Sequence, residues 1–224
     1  SMRLFSSAGL VFCKMVLGTT PNMAPPSNLK FPASMGYIFI FREFLLNKYN
    51  KGLRDTVKKV FPNLDFLKED LVVLFTNYKS HFPEKPSPII TTCISEFQIS
   101  TFTVADSILG ISLDMYLGEK YIYYADIFKQ YAFMIPTFDK KYMAIDCANV
   151  IATNLVKAPS DKSTLLDKMI AKGKIFYIIE NFLPNKEEKD IIKYTDKNWK
   201  FCIDNESQIW AYFLRDNLLF DTRF

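Results

Sequence analysis

One interruption constrains this chain more than any other feature. A β-branched stretch, residues 89–117, is set between two long runs of helical spacing. Pro86 and Pro88 precede it, Ile89, Ile90, Thr91, Thr92 and Ile94 open it, and 101–104 and 107–117 continue its character. Such residues between turn signals predict two or three strands. Before the stretch, the spacing predicts helices over 35–50, 53–60 and 64–82; Asn63 caps the last, and Leu67, Leu71, Leu74 and Tyr78 stripe it. After it, helices are expected over 123–134, 140–156, 165–183 and 196–217. Asp139, Asp161 and Thr195 are placed to cap and Pro136 and Pro184 to stop them. There is no strand–helix–strand alternation and no repeat at the period of a solenoid. The expected fold is therefore α+β: a mostly helical single domain over 27–224 with a small antiparallel sheet of two to three strands. Residues 1–26 read as a leader or linker.

With 224 residues, 49% hydrophobic and 16% aromatic, the chain can bury a core without metal or disulfide and is not a disordered sequence. Seven glycines speak against a glycine-rich nucleotide fold. His81 is the single histidine, which excludes most zinc enzymes, histidine-dependent hydrolases and histidine-cluster pH sensors. Its place at a helix end before prolines suits a C-terminal cap or a surface group. Ser163 and Ser207 lack a neighbouring histidine and a GxSxG setting, so a serine triad is not expected. Basic residues number 28 and acidic ones 24, and the signs alternate through 186–200. That is a solvated face, so no nucleic-acid partner is expected. Cys13, Cys93, Cys147 and Cys202 form no CxxC pair, which argues against a zinc site. Wide spacing favours buried free thiols, with one disulfide left open for an oxidising compartment.

Arg3, an apolar run over 4–12 and Cys13 resemble a bacterial lipoprotein signal. Phe12 stands where a small residue should precede an acylated cysteine, so an ordinary N-terminal segment is the other reading. Residues 19–27 form a Pro-rich linker. No run reaches the roughly 18 apolar residues of a spanning helix. Any membrane contact is expected through a lipid anchor only.

Three places carry candidate binding chemistry. On one continuous last helix, Trp199, Ile203, Trp210 and Phe213 share a face, and Glu206 falls within it. A carboxylate in an apolar stripe needs a partner; it is either a structural Glu or an acid facing a ligand in a cleft. On the preceding long helix, Gly173 falls on the stripe Leu165, Met169, Phe176, Ile179, Leu183. A mid-helix glycine there implies close approach by another element, with Lys172 at the edge of the contact. Asp114 alternates with Leu113 and Met115 on the last strand, facing either solvent or a cleft. Asp114, Lys172, Trp199, Glu206 and Trp210 are thus the candidate cleft residues, and Cys13 the candidate lipidation site.

Several stretches together resemble the gliding-motility lipoprotein GldB family of Bacteroidetes. They are 70–75 with 80–83, LGISLDMYLG at 109–118, 166–170 through 173–177, Tyr194, Thr195, Trp199, Cys202, and NESQIWAYF at 205–213. Their order holds over roughly 35–224. The resemblance implies a periplasm-facing lipoprotein of the cell envelope, associated with gliding and its secretion machinery. It also implies a distant relation to zinc proteases carrying HExxH. The corresponding helix here, 143–154, holds neither His nor the general-base Glu, and Lys172-Gly173 stands where such proteases have Glu-Gly. The expected scaffold is zincin-like without its metal site, with no cofactor. The family continues past residue 224, so the chain is either a truncated piece or a shortened member whose last helix exposes apolar surface. The expected function is a non-catalytic lipoprotein that binds envelope proteins of the motility or secretion machinery. The alternative is a small-ligand-binding or divergent hydrolase domain using a remnant cleft around Glu206.

Overall fold

The computed structural model describes residues 3–4, 46–104 and 107–223; Cys13, the linker at 19–27 and most of the expected helix over 35–50 lie outside the described residues. Contacts sort the chain into two compact units, Ser1–Phe66 with Pro86–Met143, and Leu67–Lys85 with Ala144–Phe224. The architecture is α+β and mostly helical.

In the first unit, Asn47 starts helix α1 (Lys48–Val60) by accepting the Tyr49 N–H at 2.8 Å. Its buried face is Asn50, Leu53 and Val57, and it stops before Pro62. Helix α2 (Asp65–His81) begins where Asn63 accepts the Asp65 N–H at 3.2 Å. The sheet contains β1 (Arg3–Leu4), β2 (Ile89–Cys93), β3 (Thr101–Val104) and β4 (Ile108–Ser112), in the order β1-β2-β4-β3. It is mixed where a purely antiparallel sheet was expected. β3 pairs with β4 antiparallel, but β2 pairs with β4 in parallel, Ile89 opposite Ile108 through Cys93 opposite Ser112. The cause lies in the connections. β3 turns directly into β4, with the Ser107 N–H on the Val104 carbonyl, whereas 94–100 makes a wide turn that carries β3 past its predecessor.

Phe102 and Gly110 stand opposite each other in the β3–β4 register. The phenyl ring lies over the glycine so closely that a Cβ at 110 would sit 2.2 Å from it. Gly110→Ala is expected to destabilise by about 2 kcal/mol through overpacking. Phe102→Leu in the same chain should recover part of that, read by denaturant midpoints.

After β4 the chain does not continue as strand through 117. It tightens into a 3-10 turn, Leu113–Tyr116, all four residues of which are buried. The expected helix over 123–134 is likewise broken into α3 (Tyr124–Ile127) and a kinked 3-10 segment, Lys129–Thr137. Tyr131 leaves helical geometry, and Pro136 removes a donor. Ring contacts of Tyr124 with Phe97 (5.7 Å), Tyr121 (5.0 Å) and Phe138 (5.0 Å) centre the aromatic packing of this unit.

The second unit holds the rest of α2 with α4 (Met143–Leu155), α5 (Leu165–Phe182), α6 (Glu188–Ile191), α7 (Asp196–Asp204) and α8 (Glu206–Arg215). The expected stripe Leu67, Leu71, Leu74, Tyr78 is buried. Tyr78 meets Phe182 edge-on at 5.8 Å, and Asp70 takes Lys186 at 2.6 Å. Thr164, not Asp161, starts α5, in a reciprocal capping box with Asp167. His81 ends α2, exposed, with Nδ1 donating to the Asn77 carbonyl at 2.8 Å. Among the described residues Cys93 and Cys147 are buried free thiols, while Cys202 is partly exposed.

Candidate functional site

Asp114 belongs to the first unit and the other four candidates to the second. Asp114 sits in the buried 3-10 turn with no exposure, so it does not face solvent. The carboxylate accepts the Ser95 N–H on both oxygens (3.1 and 3.2 Å) and the Phe97 N–H at 2.7 Å. Its backbone carbonyl accepts the Tyr124 hydroxyl at 2.6 Å, which in turn accepts the Leu117 N–H. Glu96, between the two donors, and Phe97, the second donor, take positive φ of 56° and 62°. This left-handed turn brings the Ser95 and Phe97 amides onto one carboxylate, and Asp114 supplies it from within the chain. Burial raises the Asp114 pKa to about 6; the Phe97 and Ser95 N–H bonds oppose that, and the neighbouring Glu96 charge adds to it. Asp114 is therefore committed to holding its own turn.

In the second unit, Lys172 lies over the Phe176 ring at 4.7 Å. Desolvation lowers its pKa, Lys193 lowers it further, and Asp146 pulls the other way. Asp146 and Lys193 form a short ion pair, Nζ to Oδ1 2.5 Å, with only 7% of the Asp146 side chain exposed. Thus the helix 143–154 does carry a nearly buried carboxylate, answered by an ammonium. Among the described residues no three His, Cys, Asp or Glu side chains gather closely enough to hold a metal ion.

The last helix is not continuous. Asn205, at φ −120° and ψ 17°, divides α7 from α8. Both its N–H (3.1 Å) and its side-chain amide (2.8 Å) donate to the Phe201 carbonyl. An Asn amide competing for the helix's own acceptor is a local helix breaker. The break puts Glu206 at the first position of α8, exposed, where a helix N-terminus favours a carboxylate. It no longer lies inside an apolar stripe between Ile203 and Trp210.

The same break spreads the aromatic side chains outward. No residue of α7 or α8 is buried. Trp199 is partly covered, whereas Phe201 and Ile203 are each 59% exposed, Trp210 42% and Leu214 64%. Trp210 and Phe213 pack edge-on at 6.1 Å, and the Arg215 guanidinium covers Tyr212 at 5.4 Å. The pair is tied back through the turn Leu218–Phe220, after which the Asp221 carbonyl takes the Leu165 N–H at 2.8 Å. Sequence spacing singled out Trp199 and Trp210 but missed Phe201, Tyr212 and Leu214. The available signal at Tyr212 and Leu214 was the unbroken apolar run over 209–214, which a single helix face cannot hold. Scattered exposed apolar residues are ordinary, but so many exposed aromatic and aliphatic side chains on two short helices have the composition of a protein-binding surface.

No helix among the described residues is long and apolar enough to cross a membrane. A family model described as gliding motility protein GldB matches residues 16–224. No curated protein and no solved structure matches the chain.

Proposed function

The chain belongs to the GldB gliding-motility lipoprotein family, and from that premise we propose that it is a non-catalytic, periplasm-facing component that works by binding other proteins of the motility or secretion machinery. The α7–α8 surface carries this reading. Nineteen helical residues with none buried, and with Phe201, Trp210, Tyr212 and Leu214 turned outward, are what a binding partner would cover. Tryptophan and tyrosine are the residue types on which interface energy concentrates. Glu206 and Trp210 then serve as contact residues on that surface, while Asp114 and Lys172 are structural residues, each within its own unit.

The test uses a Phe201→Ser/Trp210→Ser/Leu214→Ser variant in the native host. Because all three side chains are exposed, the melting temperature should change little. Recovery of motility or secretion components after envelope crosslinking should fall at least about tenfold, the loss expected of a hot-spot cluster. Unchanged recovery with a stable variant removes this surface from the proposal.

A further inference from the structure

Gly173 was expected to mark close approach by another part of the chain. The structure places nothing there: a Cβ on Gly173 would meet no atom within 4 Å. A glycine in the eighteen-residue helix α5 disfavours the helix relative to alanine, and no contact within the described chain accounts for it. Gly173 instead lines a groove of about 960 Å³ between α5 and the segment after α4.

The α5 wall of this groove is Ile170, Gly173, Lys174 and Tyr177, spaced as one helical face. Ile170 is 48% exposed and Tyr177 67%. The facing wall is short, with Leu155, Val156, Ala158 and Pro159 followed by Ser160 and Ser163. Each wall adds one cation, Lys157 and Lys174, and neither forms an ion pair with any described residue. The one acid in the lining, Asp167, is already engaged by the Thr164 N–H and hydroxyl in the capping box. The groove therefore has a mainly apolar lining and a net positive charge, Lys157 and Lys174 against the single carboxylate of Asp167.

We propose that this groove docks an amphipathic helix of a partner protein whose apolar face is flanked by carboxylates. A helix satisfies its own backbone, and α5, whose backbone is bonded internally, offers no ladder to an extended strand. Gly173 and Ala158 let a second helix axis approach closely, as small residues do at helix crossings. Carboxylates on both edges of the incoming face would meet Lys157 and Lys174. The proposal takes the chain to act through other proteins, as above, but uses a site that shares no residue with α7–α8.

The experiment places a photo-crosslinking benzoylphenylalanine at Tyr177 of the full chain in its native envelope, and sequences the adduct peptide. The expected adduct is a segment of another protein with helical apolar spacing and flanking Asp or Glu. Gly173→Leu adds a side chain into open space, so it should melt no lower than the parent, yet cut the adduct at least about tenfold. Lys157→Glu/Lys174→Glu should do the same. An adduct to lipid, to a second copy of this chain or to a basic or non-helical segment overturns the proposal. So does the absence of any adduct, or a yield untouched by Gly173→Leu. Loss of the adduct in Gly173→Leu with envelope recovery through α7–α8 intact would uphold the groove alone; the reverse pattern would uphold only the α7–α8 surface.

Discussion

Asp114→Ala is expected to destabilise the protein by about 3–4 kcal/mol, among the largest single-residue effects available to it. The carboxylate is fully buried and accepts the Ser95 and Phe97 N–H groups. Alanine would orphan both donors inside the core, at about 1–3 kcal/mol each before relaxation. It would also release the turn that keeps Glu96 and Phe97 at positive φ. That turn delivers the Asn50–Glu96 hydrogen bond (2.8 Å) between α1 and the 94–100 segment. Denaturant unfolding measures the loss directly.

The same residue gives a pH signature whose sign is fixed. The Asp114 pKa is raised from 3.8 to about 6 in the folded chain, burial being the main cause. Between those values the native state holds a proton that the unfolded chain has released. Stability from this group is therefore complete below about pH 4 and declines as pH rises through 6. The parent should lose stability relative to Asp114→Asn across that window, with a slope approaching about 1.4 kcal/mol per pH unit at most. A flat difference between the two would show that Asp114 is ionised throughout and that the Ser95 and Phe97 amides outweigh its burial.

Lys193→Met is expected to cost about 3 kcal/mol. The Asp146 carboxylate, 7% exposed, keeps its burial while losing an ammonium at 2.5 Å. Removing one partner of such a pair costs more than the pair contributes, because the remaining charge is left desolvated. Asp146→Asn should be milder, since the 30%-exposed Lys193 side chain can reach water. The double variant Asp146→Asn/Lys193→Met should recover most of the loss. Equal destabilisation by both single variants, with no recovery in the double, would mean that packing rather than charge holds this corner of α4. Thermal melts of the four proteins close the cycle.

The elements that were legible in the sequence are those whose signal is local. The α2 stripe of Leu67, Leu71, Leu74 and Tyr78 reads at once because one face of one helix is buried. The caps at Asn63, Asp139 and Thr195 read for the same reason. Sheet pairing did not, because it is decided by a turn at 94–100 that Asp114 ties down from 17 and 19 residues away. An alternating pattern around Asp114 looked like strand, yet a 3-10 turn of four buried residues presents the same sequence. Glu206 was placed by the phase of a helix assumed continuous. The Asn205 amide resets that phase by a hydrogen bond that carries no hydrophobic signature. At Gly173 the right residue was noticed and the wrong neighbour supplied: the spacing implied an approach, and nothing in the described chain makes it.

The break at Asn205 leaves one tryptophan on either side, Trp199 on α7 and Trp210 on α8, and the sequence contains no others. Both belong to the second compact unit; the first absorbs through tyrosines such as Tyr121 and Tyr124 but holds no indole. Nature has thus labelled one half of the molecule spectroscopically and left the other dark. Indole emission follows the second unit alone, whereas far-ultraviolet dichroism averages over both. Coincidence of the two curves on heating is then a direct reading of whether the units melt as one cooperative body.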